Sequence, residues 1–438
     1  MNNEKPRMSE HFLNMKPSSI RKGQIKFDER TDDAKALNLA IGNVSLPMHP
    51  AMQERMNNLN SENSPFKDGV VKYSSTAGFD ETRQAFLNIL KSSGFNIEGL
   101  GAQVTSGGSQ AMLLTLLGVC GPAGTSEDPL LLIDAAYTNY VSIAKAIGRK
   151  TVSVRRHLDS EGKFSLPNEE EIESTIKEHK PNALVVIPYD NPTGHFYTHE
   201  SLVGLAKLCV KYNLWIISDE AYRELHYTEH DISSVWAITE EEVPGISGQR
   251  ISIETASKVW NACGLRIGGI VTDNKEFLTQ HIAAATPFLC TNVIGQYIFG
   301  ALAHESAEDL QKWYGQVRNY YKGIMTKATA EIKTALPGAI VSSPDAAIYS
   351  VIDVREIAKP GFDMDKFLDF CAETFKTDID GEEMTPIVAP MAGFYNVAPG
   401  EVNPGITQAR IAYVDKPEVL DKFAGLFAKA FNAFEEQR

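Results

Sequence analysis

Thr255-Ala256-Ser257-Lys258, with Arg266 eight residues on inside Gly264-Leu265-Arg266-Ile267-Gly268, is the stretch of this chain best equipped for covalent chemistry. The β-branched run Ile251-Ser252-Ile253 precedes it, so the lysine falls just past a strand end, where the chain turns. A lysine held there is partly desolvated, which favours the neutral, nucleophilic amine and suits attack on an aldehyde. Taken alone, the pattern also describes an ordinary solvated lysine beside a strand. Its company elsewhere in the chain decides between the two.

Four other strand ends carry residues of the same kind. Thr105-Ser106-Gly107-Gly108-Ser109-Gln110-Ala111 runs into an apolar helix. It reads either as a phosphate cradle at a helix N-terminus or as a glycine-rich turn with Ser109 as N-cap. Neither Walker spacing nor a GxGxxG fingerprint occurs. Ala135-Ala136-Tyr137-Thr138-Asn139-Tyr140 places Tyr137 to stack on a planar ring or to pack on a helix. Pro188-Tyr189-Asp190-Asn191-Pro192-Thr193-Gly194 is a turn that also sets Asn191, a neutral donor, at the sheet edge. Leu214-Trp215-Ile216-Ile217-Ser218 ends in Asp219-Glu220-Ala221-Tyr222. A carboxylate closing an apolar strand is costly to bury unless it meets a cation or donor, so Asp219 serves either the fold or a site.

The elements that must position these residues follow from hydrophobic periodicity. Strands are expected at 102–105, 130–133, 183–188, 214–218, 251–254 and 267–272, with helices at 109–119, 139–147, 169–178 and 200–212. That alternation predicts an α/β fold: a large domain with a mostly parallel sheet flanked by helices, plus a smaller α+β domain. In such sheets ligands sit beyond the carboxyl ends of the strands, which is where the unusual residues cluster. Residues 1 to about 36 read as a polar arm with a short helix, broken at Pro6, Pro17 and Gly23. Asn38-Leu39-Ala40-Ile41-Gly42-Asn43 reads as a short strand ending in a glycine turn. After about 310 come a long polar helix (307–335), strands near 339–342 and 347–353, a helix 363–374, a strand 409–414 and a terminal helix 416–435. The division expected is 1–49 for the arm and part of the small domain, 50–310 for the large domain and 311–438 for the small one.

Composition excludes several classes. The 438 residues, 43% apolar and 22% charged, fit an ordinary globular protein of two domains, or of one large domain with a smaller one appended. A net charge of −14, from 42 basic and 56 acidic residues, argues against a nucleic-acid surface. Five scattered cysteines without CxxC spacing indicate neither a metal site nor a disulfide framework, and the odd count suits the cytoplasm. The N-terminus has no apolar signal region, and runs such as Ala111 to Cys120 stop short of a membrane span.

Together, TSGGSQA (105–111), AAYTNY (135–140), NPTG (191–194), SDEAY (218–222), TASK (255–258) with Arg266, and ARIAY (409–413) resemble the fold type I pyridoxal phosphate enzymes. Within these the chain is similar to the class I/II, aspartate aminotransferase-like, aminotransferases. The resemblance implies an aspartate aminotransferase fold and transfer of an amino group between an L-amino acid and a 2-oxo acid by ping-pong chemistry. It implies that Lys258 forms the Schiff base with pyridoxal phosphate and shuttles the proton at the substrate's α-carbon. Asp219 then pairs with the pyridinium nitrogen, Asn191 and Tyr222 with the phenolic oxygen, and Tyr137 stacks on the ring. Gly108, Ser109, Thr255 and Arg266 hold the phosphate. Gly42, Asn191 and Arg410 meet the substrate, with Arg410 clamping its α-carboxylate. Tyr73 reaches the partner subunit's phosphate, which implies a homodimer with shared sites.

Two positions depart from the family pattern: Thr255 where serine is common, and an alanine in Pro344-Asp345-Ala346-Ala347-Ile348-Tyr349 where glycine is common. Acid-specific relatives need a second cation for the substrate's distal carboxylate. The interval His281 to Gln311 holds no Arg or Lys, and Ser109 stands where one branch has lysine. Neutral or aromatic donors are therefore expected, unless Arg21 or Lys22 of the arm closes over the site. A lyase, cyclase or decarboxylase on the same scaffold shares every cofactor contact. A pyridoxal phosphate-sensing DNA-binding regulator is disfavoured by the short arm and the acidic balance.

Overall fold

Seven strands form the larger sheet, in the spatial order Gly101–Thr105, Gly268–Thr272, Arg250–Thr255, Trp215–Asp219, Ala183–Val186, Leu130–Asp134 and Thr151–Arg155. Gly268–Thr272 runs antiparallel to both neighbours; the other adjacent pairs are parallel. The computed structural model describes residues 6–13, 15, 18–125, 128–398 and 400–438; the breaker expected at Pro17 lies outside them.

The central strands are apolar up to their carboxyl ends, as expected where helices cover both faces. Leu130–Asp134 and Ala183–Val186 are buried at every position. The covering helices, Gly108–Val119, Asn139–Ala146, Glu169–His179 and His199–Lys211, match the expected spans to within one residue at either end. Glu169–His179 starts at a reciprocal capping box in which Asn168 and Glu171 bond each other's main-chain N–H. The edge strand Thr151–Arg155 was not expected: it is mostly half-exposed and carries Ser153 and Arg155 among its valines.

The smaller domain holds two sheets. One is antiparallel, in the order Ile340–Val341, Tyr349–Asp353, Gln408–Ala412, Ala389–Pro390; the other is Lys35–Asn38, Glu382–Ile387, Thr377–Ile379. The long helix is Ala307–Ala335, as expected. Two expectations are corrected. The strand read at 38–43 lies at 35–38, because the Asn38 side chain accepts the Ala40 N–H at 2.9 Å and turns the chain out of the ladder. Leu39 then links the two small sheets, donating to Ile387 and accepting from Ala412, both at 2.8 Å. The terminal helix is two helices, Pro417–Leu420 and Phe423–Gln437. They part at Asp421 and Lys422, which turn to separate partners, Lys327 at 2.5 Å and Glu382 at 3.7 Å.

The arm helix Ser19–Phe27 docks on the small domain. Lys22 meets Asp365 and Asp369 at 3.3 and 3.0 Å, and Lys26 meets Asp369 at 3.0 Å. Such exposed pairs contribute little singly, but here they set which face of the helix turns inward. No helix among the described residues is long and apolar enough to cross a membrane.

Candidate active site

A cavity of about 1090 Å³ opens at the carboxyl ends of the parallel strands, walled by residues of both domains. Strand alternation selects what faces it. Asp219 lies opposite Ile253, so Asp219, Ile253 and Thr255 share one face of the sheet. Ser252 and Glu254 take the other face, where Glu254 grips the buried Arg223 at 2.8 and 2.9 Å.

Asp219 closes its strand at the cavity wall, with one oxygen accepting from the Tyr140 hydroxyl at 2.5 Å and the other from Ala221 N–H at 3.1 Å. Both donors are neutral. Burial pushes the Asp219 carboxyl above its ordinary range, opposed by the Tyr140 hydrogen bond. A carboxylate held this way can pair with a cationic donor from a ligand. Lys258 follows the strand Arg250–Thr255, and its Nζ donates to the Gly42 carbonyl at 2.5 Å. The bend after Asn38 thus delivers Gly42 to the lysine.

The anion end lies between the first helix and Arg266. Gly107 caps the helix at φ +80°, in the left-handed region that glycine tolerates, and a Cβ there would stand 2.4 Å from Arg266 Nη2. The helix begins at Gly108, so Ser109 lies inside its first turn and is not the N-cap. The N–H groups of Gln110 and Ala111 turn back to Gly107 O, while those of Gly108 and Ser109 meet no acceptor among the described residues. Two free donors and the positive end of the helix dipole face the cavity beside the guanidinium. Thr255 Oγ1 donates to Ser257 Oγ at 2.7 Å, so the two hydroxyls act together at this wall.

Arg410 is 1% exposed, yet its partners are Asn191 Oδ1 at 2.8 Å and the Ala40 carbonyl at 2.5 Å, not a carboxylate. Its Nε has no partner among the described residues. The guanidinium stacks 4.4 Å above the Tyr349 ring. A buried cation kept this way can take a carboxylate from a ligand. The Arg410 bond to Oδ1 orients the amide of Asn191, which lines the cavity. Beneath the Asn191 turn lies the buried pair Arg156–Asp190, at 2.9 Å. The Tyr222 hydroxyl pairs with that of Tyr349 at 2.7 Å. Tyr137 lines the cavity with its ring edge-on to Tyr140.

Of the residues expected from sequence, Gly42, Gly108, Ser109, Tyr137, Asn191, Asp219, Tyr222, Thr255, Lys258, Arg266 and Arg410 all line this one cavity. Tyr73 does not; it is 79% exposed, beside the exposed Val70 and Val71. Arg21 also lines the cavity, whereas Lys22 is committed to the small domain. Sequence reasoning assigned no role to Tyr140, Ser257 or Tyr349. Tyr140 was legible as the i+3 neighbour of Tyr137; Tyr349 carried no local signal.

The family model described as Aminotransferase class I and II matches residues 34–376. A probable aspartate aminotransferase of Methanocaldococcus jannaschii is 26% identical over 362 residues, 80% of this chain and 85% of that protein. A probable kynurenine–oxoglutarate transaminase of Saccharomyces cerevisiae is 28% identical over 270 residues, 59% of this chain and 56% of that protein. In fold, the chain is similar to the N-succinyldiaminopimelate aminotransferase of Mycobacterium tuberculosis, with a TM-score of 0.79 at 19% identity, covering 97% of this chain and all of the other. With the match running from the strand that leads to Gly42, through Lys258 and on into the small domain, this chain belongs to the class I and II aminotransferases.

Proposed function

We propose that the protein is a pyridoxal phosphate-dependent aminotransferase that works by two half-reactions, the first product leaving before the second substrate enters. The observation that carries the cofactor assignment is Asp219, a carboxylate at the cavity wall bonded only by neutral donors and so short of a cation. Bound here, pyridoxal phosphate supplies an aldehyde carbon that captures amines and a ring that takes up the electron pair released at the substrate's α-carbon. Lys258 would hold that carbon through its amine and, once freed by a substrate amine, would carry the proton taken from the substrate's α-carbon. Asp219 keeps the proton on the ring nitrogen. Asn191 and Tyr222 donate to the phenolic oxygen, and Tyr137 covers the ring face. Gly108, Ser109, Thr255 and Arg266 hold the phosphate, and Arg410 the α-carboxylate. Borohydride reduction followed by peptide mass spectrometry should place the cofactor on Lys258; an adduct on another lysine would refute the assignment. The family membership favours amino transfer over lyase, cyclase or decarboxylase chemistry at the same groups.

For the substrate side chain we propose neutral or aromatic donors, supported by Ile20, Ile41 and Val44 on the outer wall and by the absence of Arg or Lys from 281 to 311. One observation favours a second reading. Arg21 stands on the wall of the same cavity and can meet a distal carboxylate. A kcat/KM for aspartate well above those for alanine, methionine and phenylalanine, lost in Arg21→Ala, would establish the second reading over the first. We also propose a cytoplasmic homodimer, each chain divided at 49/50 and 310/311, in which exposed Tyr73 reaches the partner's phosphate. An active monomer in sedimentation would refute the shared site.

A further inference from the structure

Tyr349 opens the strand Tyr349–Asp353, is 2% exposed, and stands at the centre of the site without a role in the chemistry above. Its hydroxyl lies 2.7 Å from that of Tyr222, its ring packs edge-on to Tyr222, and Arg410 covers its face at 4.4 Å. A Cβ on Gly42 would come within 2.3 Å of the Tyr349 hydroxyl and 3.2 Å of Lys258 Nζ, so the phenol reaches the lysine's end of the cavity.

The turn before Tyr349 is tied to the segment that carries Tyr222. Ala347 N–H donates to the Leu225 carbonyl at 2.8 Å, and the Tyr227 hydroxyl donates to the Ala347 carbonyl at 2.5 Å. Ala346 N–H donates to Gly194 at 2.7 Å, joining the Asn191 turn as well. Ala347 holds φ +57°, a left-handed conformation that glycine would adopt more easily, and these bonds sustain it. The two tyrosines are therefore set in one rigid frame.

We propose that Tyr349 is a positioning residue that donates its hydroxyl hydrogen to Tyr222, and so directs the Tyr222 hydrogen to the cofactor's phenolic oxygen. The inference rests on the cofactor reading above. A phenol has one hydrogen to give. If Tyr222 gave its hydrogen to Tyr349, it would turn only lone pairs toward the anionic phenolic oxygen. Among the described residues, Tyr222 is the hydrogen-bond partner of the Tyr349 hydroxyl, so donating to it forfeits no other bond. The guanidinium over the Tyr349 ring draws electron density from it and strengthens the O–H as a donor. Aligned hydrogen bonds polarise one another, so the second phenol strengthens the first. The charged and titratable groups facing this pair are Lys258, Arg410, Tyr137 and, from the long helix, Tyr321.

The test is a titration of the lysine-bound cofactor's visible absorption in the holoenzyme. In Tyr349→Phe, which keeps the ring and its stacking on Arg410, the midpoint should rise by a few tenths of a pH unit, because the Tyr222 bond to the phenolic oxygen, worth about one to two pH units, loses the roughly 10–30% that the second phenol adds by polarising it. In Tyr222→Phe it should rise at least as far, and adding Tyr349→Phe to that variant should add nothing, because Tyr349 acts only through Tyr222. An unchanged midpoint in Tyr349→Phe, or the same rise in the Tyr222→Phe background, would overturn the inference. A wild-type protein with no chromophore on Lys258 would instead bring down the parent reading, and this inference with it.

Discussion

Gly42 offers the sharpest test of the site, because adding one methyl group there reaches Lys258 and the Tyr349 hydroxyl at once. Its φ lies outside the left-handed region, so alanine brings no backbone strain, and any loss comes from contact alone. The new Cβ would stand 2.3 Å from the Tyr349 hydroxyl and 3.2 Å from Lys258 Nζ. Ordinary van der Waals contacts begin at about 3.5 Å, so the groups must part by about 1 Å. The carbonyl of the same residue takes the Lys258 hydrogen bond, so displacing the Gly42 backbone moves the lysine too. A misplacement of about 1 Å costs roughly a hundredfold in rate, or about 2.7 kcal/mol of barrier. Single-turnover mixing with an amino acid, followed by visible absorption, measures that step directly. Gly42→Ala should retain cofactor and melting temperature while its half-reaction slows by about two orders of magnitude. A rate within threefold of the wild type, with cofactor bound, would refute the placement of Gly42 against Lys258 and Tyr349.

Three further outcomes are expected. Asp219→Asn keeps an oxygen for the Ala221 N–H and turns its NH₂ to the Tyr140 hydroxyl, which then accepts, so the fold should survive in circular dichroism while turnover falls by orders of magnitude; near-normal turnover would make Asp219 structural. Arg410→Lys loses the planar fork and should raise KM for every amino and oxo acid alike by about tenfold to a hundredfold, whereas a selective rise would place Arg410 at the side-chain end. Burial pushes the Asp134 carboxyl, bonded to Asn396 N–H, up to about 6. An acid raised in the fold adds stability that is full below its unfolded value of about 3.9 and lost as pH rises to 6, about 3 kcal/mol in all. Asp134→Asn should therefore flatten the fall in melting temperature over that window; parallel curves for both proteins would count against it.

The large domain was legible because its strands are buried on both faces and so read as unbroken apolar runs such as Leu130–Ile133. The edge strand Thr151–Arg155 and the charged strands Thr377–Ile379 and Glu382–Ile387 were not, since partial exposure lets polar residues interrupt the pattern. The Asn38 turn was missed for another reason: a side-chain acceptor for a main-chain N–H competes with the ladder without changing hydrophobicity.

For the site, the sequence by itself determined which residues stand at the carboxyl ends of the strands, because strand ends and glycine turns are local properties of the chain. Lys258, Asp219, Asn191 and the Gly107-Gly108 turn were all identifiable on that ground. Tertiary structure decided the pairings. Tyr140 meets Asp219 across 79 residues, Tyr349 meets Tyr222 across 127, and Arg410 meets Asn191 across 219. It also decided that Arg21 lines the cavity while Lys22 is spent on Asp365 and Asp369. Adjacent helical residues point about 100° apart, and only the docking of the arm helix selects which of them faces inward.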